Sequence, residues 1–99
     1  MPTHEEFTQF MREYLSLTPA QRRKFGKAVA KMVLDPRAGA PFRPSLRVKG
    51  VQGHVGVFEV TWDEGNGMRT TFHYGPEQQP GEVHIVWRRI GGYDIFGNP

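Results

Sequence analysis

The sequence predicts an α+β fold: an N-terminal helical hairpin packed on a four-stranded, mainly antiparallel sheet. Three observations lead there. Apolar residues recur at helical spacing over the first third of the chain. They alternate with polar residues over the second half, the period of a strand. Glycine, proline and asparagine separate the alternating runs, so helices come first and strands follow.

Each element has its own signal. Thr3-His4-Glu5-Glu6 matches a capping box, with a hydroxyl at the N-cap and a glutamate three residues on. Phe7, Phe10, Met11, Tyr14 and Leu15 then form one apolar face of a helix reaching about Leu17. Thr18-Pro19-Ala20-Gln21 is a second start: Thr18 caps, Pro19 takes the first helical position, and Gln21 completes the box. Phe25, Ala28, Val29, Met32 and Val33 make the stripe of this second helix, and Arg22, Arg23, Lys24, Lys27 and Lys31 lie off it. Gly26 costs it about 1 kcal/mol relative to alanine, a cost that close packing on the sheet would explain. Pro36 ends the helix by disfavouring helical geometry at Asp35. The hairpin therefore covers about residues 4–35, and three prolines between Pro36 and Pro44 make a loop.

The sheet is expected over about residues 45–96. Leu46 to Lys49 is its first strand, followed by a glycine-rich connection from Gly50 to Gly56. Val57 to Trp62 turns Phe58, Val60 and Trp62 inward and Glu59 and Thr61 outward. Asp63-Glu64-Gly65-Asn66-Gly67 is a hairpin turn in which Gly and Asn supply positive φ. Met68 to Tyr74 returns, with Arg69, Thr71 and His73 on the outward face, and Pro76 to Gly81 reads as a loop. Val83 to Ile90 is apolar on both faces, which places it near the middle of the sheet. Gly91-Gly92 then provides a sharp turn through positive φ, with Arg88, Arg89 and Tyr93 around the strand end.

The 99 residues amount to one domain spanning 1–99. The absence of cysteine excludes disulfides, thiolate metal sites and a cysteine nucleophile, and is consistent with a cytoplasmic location. The polar, acidic start is unlike a signal peptide, and no apolar run approaches the roughly 20 residues of a membrane span. Phosphate-binding loops, dinucleotide fingerprints, zinc-protease motifs and nucleophile elbows are all absent. His54, His73 and His84 lack ligand-like spacing, so no metal or other cofactor is expected.

Thirteen Lys and Arg against ten Asp and Glu give a net charge of +3. The basic residues are segregated: Arg22, Arg23, Lys24, Lys27, Lys31 and Arg37; then Arg43, Arg47 and Lys49; then Arg88 and Arg89. Such segregation suits a polyanion such as nucleic acid. Alternation collects Arg47, Lys49, Glu59, Thr61, Arg69 and His73 on the outer sheet face, where Arg88 and Tyr93 can join them. That set holds three alternative bases (Lys49, Glu59, His73), phosphate binders (Arg47, Arg69, Arg88) and a phenol (Tyr93). RNA cleavage by its own 2′-hydroxyl needs a base, cations at the phosphate and an acid for the leaving 5′-oxygen. The plainer alternative is the polar outer face that antiparallel sheets ordinarily show. A helix-turn-helix DNA reader using Thr18–Leu34 is disfavoured, because the two helices read as a plain hairpin and only one is strongly basic.

Three stretches resemble the RelE/ParE toxin superfamily, and RelE- and HigB-like toxins in particular. They are Leu46 to Gly53, Gly56 to Trp62, and Ile90-Gly91-Gly92-Tyr93-Asp94-Ile95-Phe96. The resemblance implies a RelE-like fold and a small cytoplasmic toxin of a bacterial toxin–antitoxin system. Its implied activity is ribosome-dependent cleavage of mRNA, a metal-independent 2′-hydroxyl transesterification that inhibits translation. The implied partners are mRNA on the ribosome and a cognate antitoxin, with no membrane; the chain would be a monomer or part of an antitoxin-bound hetero-oligomer. Carried over by position, the catalytic candidates are Lys49, Glu59, Arg69, His73 and Tyr93. The RNA-binding candidates are Arg47, Arg88, Arg89, Arg22, Arg23 and Lys27. Three features depart from the family: Thr61 stands where an arginine is usual, Phe96 lacks the hydroxyl of the C-terminal tyrosine, and the strand that usually precedes the first helix is not visible before Glu5. A weak or inactive member that binds RNA or a protein partner is the alternative those departures imply.

Overall fold

The computed structural model describes residues 3–33 and 48–99. Its elements are β1 (Thr3–Glu6), α1 (Thr8–Leu15), α2 (Pro19–Val33), β2 (Lys49–Gly50), β3 (Val57–Asp63), β4 (Met68–Gln79) and β5 (Glu82–Gly91). A 3-10 turn at Glu64–Asn66 joins β3 to β4, and another at Tyr93–Gly97 follows β5. Two helices thus pack on a five-stranded sheet in the order β1-β5-β4-β3-β2. Every pairing is antiparallel except β1 with β5, which is parallel.

β1 corrects the expected helix start at Thr3 and adds the fifth strand. Thr3 to Glu6 pair with His84 to Trp87 instead of capping α1. The buried His84 ring holds the strand in place: Nδ1 lies 2.8 Å from Thr3 Oγ1 and Nε2 lies 2.7 Å from Glu5 Oε1. A carboxylate only accepts, so Nε2–H donates to Glu5. Phe7 becomes the N-cap of α1 without any side-chain cap. The second capping box forms as expected, with Gln21 N–H donating to Thr18 Oγ1 at 3.1 Å and Thr18 N–H to Gln21 Oε1 at 2.8 Å.

The core lies between the helices and one sheet face. Phe10, Leu17, Phe25 and Ala28 meet Val60, Trp62, Phe72, Ile85, Trp87 and Ile90 there. β5 is buried from His84 to Trp87, as a strand flanked on both sides should be. β4 runs on to Gln79 through a register shift between Gly75 and Gln79, so most of the expected Pro76–Gly81 loop is strand. Gly26 has no heavy atom within 4 Å of where a Cβ would sit, so close packing is not its purpose.

The turn chemistry differs in detail. Gly67 takes φ 66°, whereas Asn66 donates from its side chain to Asp63 Oδ2 at 2.8 Å. This bond, together with one from Lys24, holds the Asp63 carboxyl below its ordinary range. Gly91 and Gly92 are not among the positive-φ glycines. Gly91 is needed for space instead: a Cβ there would come within 3.1 Å of Ile95 Cγ2. Ile90 faces the helices, so Gly91 faces away from them, and the C-terminal turn folds back over that second face.

Candidate active site

The face turned away from the helices carries Glu59 and Thr61 from β3, Arg69, Thr71 and His73 from β4, and Arg88 at the bulge in β5. Register fixes their neighbours. Lys49 pairs with Glu59, Glu59 with Thr71, Thr61 with Arg69, and Arg69 with Gly91. The sheet therefore sets Glu59 diagonally between Arg69 and His73, at about 7–8 Å between backbones.

Three contacts organise the face. Lys49 Nζ lies 3.6 Å from Glu59 Oε1, joining an exposed ammonium to a largely buried carboxylate. Arg69 Nη2 donates to Tyr93 Oη at 3.1 Å, and its guanidinium lies 5.0 Å from the centre of that ring. Arginine has only donors, so the phenol oxygen accepts and its proton is left to point elsewhere. Arg88 Nη1 lies 2.9 Å from His73 Nδ1, which by the same logic is an acceptor, leaving the proton of a neutral ring on Nε2. Burial first, and the Arg88 charge second, lower the His73 pKa from its ordinary value.

Arg88 does more than hold His73. Its Nε donates to the Pro99 carbonyl at 3.2 Å, and its Cζ lies over the Phe7 ring, 5.1 Å from the centre. Phe7 meets the His73 ring at an edge, with centroids 5.8 Å apart. A bulge between Thr71 and Phe72 in the β4–β5 register allows adjacent arginines, Arg88 and Arg89, to take different partners.

The remaining basic residues divide. Arg89 forms a two-bond pair with Glu13 of α1, Nε to Oε1 at 2.8 Å and Nη2 to Oε2 at 2.9 Å. Glu13 also accepts from the Ile90 N–H, and the pair holds Arg89 more firmly protonated. Arg22 closes the interhelical turn, donating to the carbonyls of Leu15 and Leu17. Arg23 and Lys27 are exposed on α2, which packs against the opposite face of the sheet. The basic helix and the Lys49–Arg69–Tyr93 face are thus two surfaces and not one. Arg47, with Arg37 and Arg43, lies outside the described residues, as does the strand segment Leu46–Arg47. Of the motif departures, Thr61 is half-buried opposite Arg69, and Phe96 packs on Tyr93 with ring centroids 6.0 Å apart.

Sequence reasoning missed Phe7 and Glu13. Phe7 falls on the apolar stripe of α1 and reads as core, yet it is 41% exposed. Glu13 carried no signal, because its partner is 76 residues away. No helix among the described residues is long and apolar enough to cross a membrane.

No family model matches the sequence, and no curated protein matches it. Solved structures do match in fold. The isolated E. coli RelE toxin superposes with TM-score 0.63 at 13% identity, covering 93% of this chain and 84% of that one. A chain of the intact E. coli RelBE toxin–antitoxin complex gives 0.64 at 12% identity, covering 93% and 96%. YafQ from E. coli gives 0.61 at 12% identity, covering 95% and 96%. Helical hairpin, mixed sheet and strand order together give this chain the RelE-like toxin fold.

Proposed function

We propose that the protein is a RelE-like toxin that cleaves mRNA on the ribosome and is held in check by an antitoxin. The observation that carries this is the grouping on one sheet face of Lys49–Glu59, Arg69–Tyr93 and His73–Arg88, which gathers a carboxylate, cations and a phenol on neighbouring strands. The fold supports it too, since one matching structure is described as the isolated RelE toxin and another as the RelBE toxin–antitoxin complex.

The roles follow from the hydrogen bonds. Glu59 is the best-placed base, because the His73 lone pair at Nδ1 is taken by Arg88 and Lys49 is the partner of Glu59's own charge. Glu59 takes the 2′-hydroxyl proton as that oxygen attacks phosphorus. Lys49, Arg69 and Arg88 stabilise the charge that grows on the phosphoryl oxygens. The P–O5′ bond breaks, and Tyr93, whose oxygen already accepts from Arg69, gives its proton to the leaving 5′-oxygen. The products are a 2′,3′-cyclic phosphate and a 5′-hydroxyl. Induced expression should arrest growth and translation, and co-expression of a cognate antitoxin should restore both. The reading fails if wild-type expression leaves translation unaffected. Retention of salt-sensitive RNA binding without cleavage would favour the alternative, a binding module on the same scaffold, to which the Thr61 and Phe96 departures already lend weight.

A further inference from the structure

Beside His73, the first turn of α1 and the C-terminal segment enclose a cleft of about 260 Å³ lined by Phe7, Gln9, Arg88, Arg89, Asn98 and Pro99. That is just under the roughly 300–1,000 Å³ of sites for drug-sized ligands, which suits a single flat ring system. Its composition is specific. Phe7 offers an aromatic surface whose backbone is pinned at both ends: its N–H donates to the Trp87 carbonyl at 2.9 Å, and its carbonyl accepts from Met11 at 3.1 Å. The Arg88 guanidinium lies over one face of that ring, leaving the other for a base, and has donors left after binding His73 and Pro99. The side-chain amides of Gln9 and Asn98 have no hydrogen-bond partner among the described residues, while the Asn98 backbone is fixed by Arg89 at 2.9 Å and by Ile95 at 3.2 Å.

An aromatic platform, a guanidinium plane and two free amides are the groups that recognise an unstacked base in single-stranded RNA: stacking gives affinity, and amides read the base edge. We infer that this cleft is a nucleobase-reading subsite, with Phe7 as the stacking platform and Gln9 and Asn98 as the edge readers. Arg88 joins it to the phosphate site next to His73. This deepens the proposed function, on which it rests, by assigning base preference to a place outside the reacting groups.

The test is a titration of the isotope-labelled protein with each of the four ribonucleoside 5′-monophosphates and with ribose 5-phosphate, followed by NMR. The expected result is base-dependent shifts at the amides of residues 7–9, 88–89 and 98. Phe7→Leu, which keeps apolar bulk, should bind roughly tenfold or more weakly, while Phe7→Trp should bind at least as well. Gln9→Ala and Asn98→Ala should keep binding but flatten the difference between bases. Equal shifts with ribose 5-phosphate, shifts that Phe7→Leu leaves unchanged, or none at these residues would each overturn the inference. Base binding in a protein that does not cut RNA would leave the subsite standing and sink the cleavage reading. Cleavage with no base binding would do the reverse.

Discussion

Arg69 and Tyr93 form one unit: the guanidinium donates to the phenol oxygen at 3.1 Å and covers its ring at 5.0 Å. They sit 24 residues apart, and only the pairing of Arg69 with Gly91 brings them together. Tyr93 is 69% exposed, so the contact contributes little to stability and is better suited to hold a phenol where a substrate can reach it.

Tyr93→Phe should therefore fold and melt like the wild type yet lose roughly 10²- to 10⁴-fold in cleavage rate, the usual worth of a positioned acid. Arg69→Ala should lose at least as much, since it removes a proposed phosphate cation and frees the phenol to rotate. Single-turnover cleavage of mRNA on purified ribosomes reads both.

Glu59→Gln keeps the shape of the side chain but removes the proposed base and the partner of Lys49. A comparable rate loss is expected, whereas His73→Gln should cost less. The opposite order, measured in the same assay, would move the base to His73.

His73 should titrate below its ordinary value of about 6.5, readable from its ring carbon shifts by NMR. Burial opposes protonation in the folded chain, so this group's contribution to stability is complete above about pH 6.5 and is lost as pH falls through the lowered pKa. Arg88→Gln should raise the pKa only part of the way, because burial, the larger cause, remains.

Glu13→Ala should destabilise by about 1–3 kcal/mol, because it leaves the part-buried Arg89 and the Ile90 N–H without their acceptor. Gly26→Ala should stabilise by about 0.5–1 kcal/mol, since the position is helical, exposed and free of neighbours. Gly91→Ala should cost about 1–3 kcal/mol by crowding the fully buried Ile95. Urea unfolding curves distinguish the three.

Patterning made the helices, β3, β4 and β5 legible, because each buries one face, or in β5 both, against something. The capping box at Thr18 was legible for the same reason, being a local contact. β1 was not: Thr3 to Glu6 are four polar residues with no alternation, and they become a strand only because β5 offers them a parallel edge and His84 a bonded partner. The identical logic hid Glu13. Alternation did put Lys49, Glu59, Arg69 and His73 on one face, because strand parity fixes a side chain's face whatever its role. It could not foresee that Arg22 and Arg89 are taken up by internal bonds, or that Phe7 stands outside the core at the rim of the site. Those outcomes depend on where chain ends and turns come to lie.

The chemistry of the RNA ends tests the account most directly. Transcripts isolated after induced expression should carry new 5′-hydroxyl and 2′,3′-cyclic phosphate ends within translated regions, and these should vanish with Tyr93→Phe. New ends bearing 5′-phosphates, or 5′-hydroxyl ends that persist undiminished in Tyr93→Phe and Glu59→Gln, would contradict it.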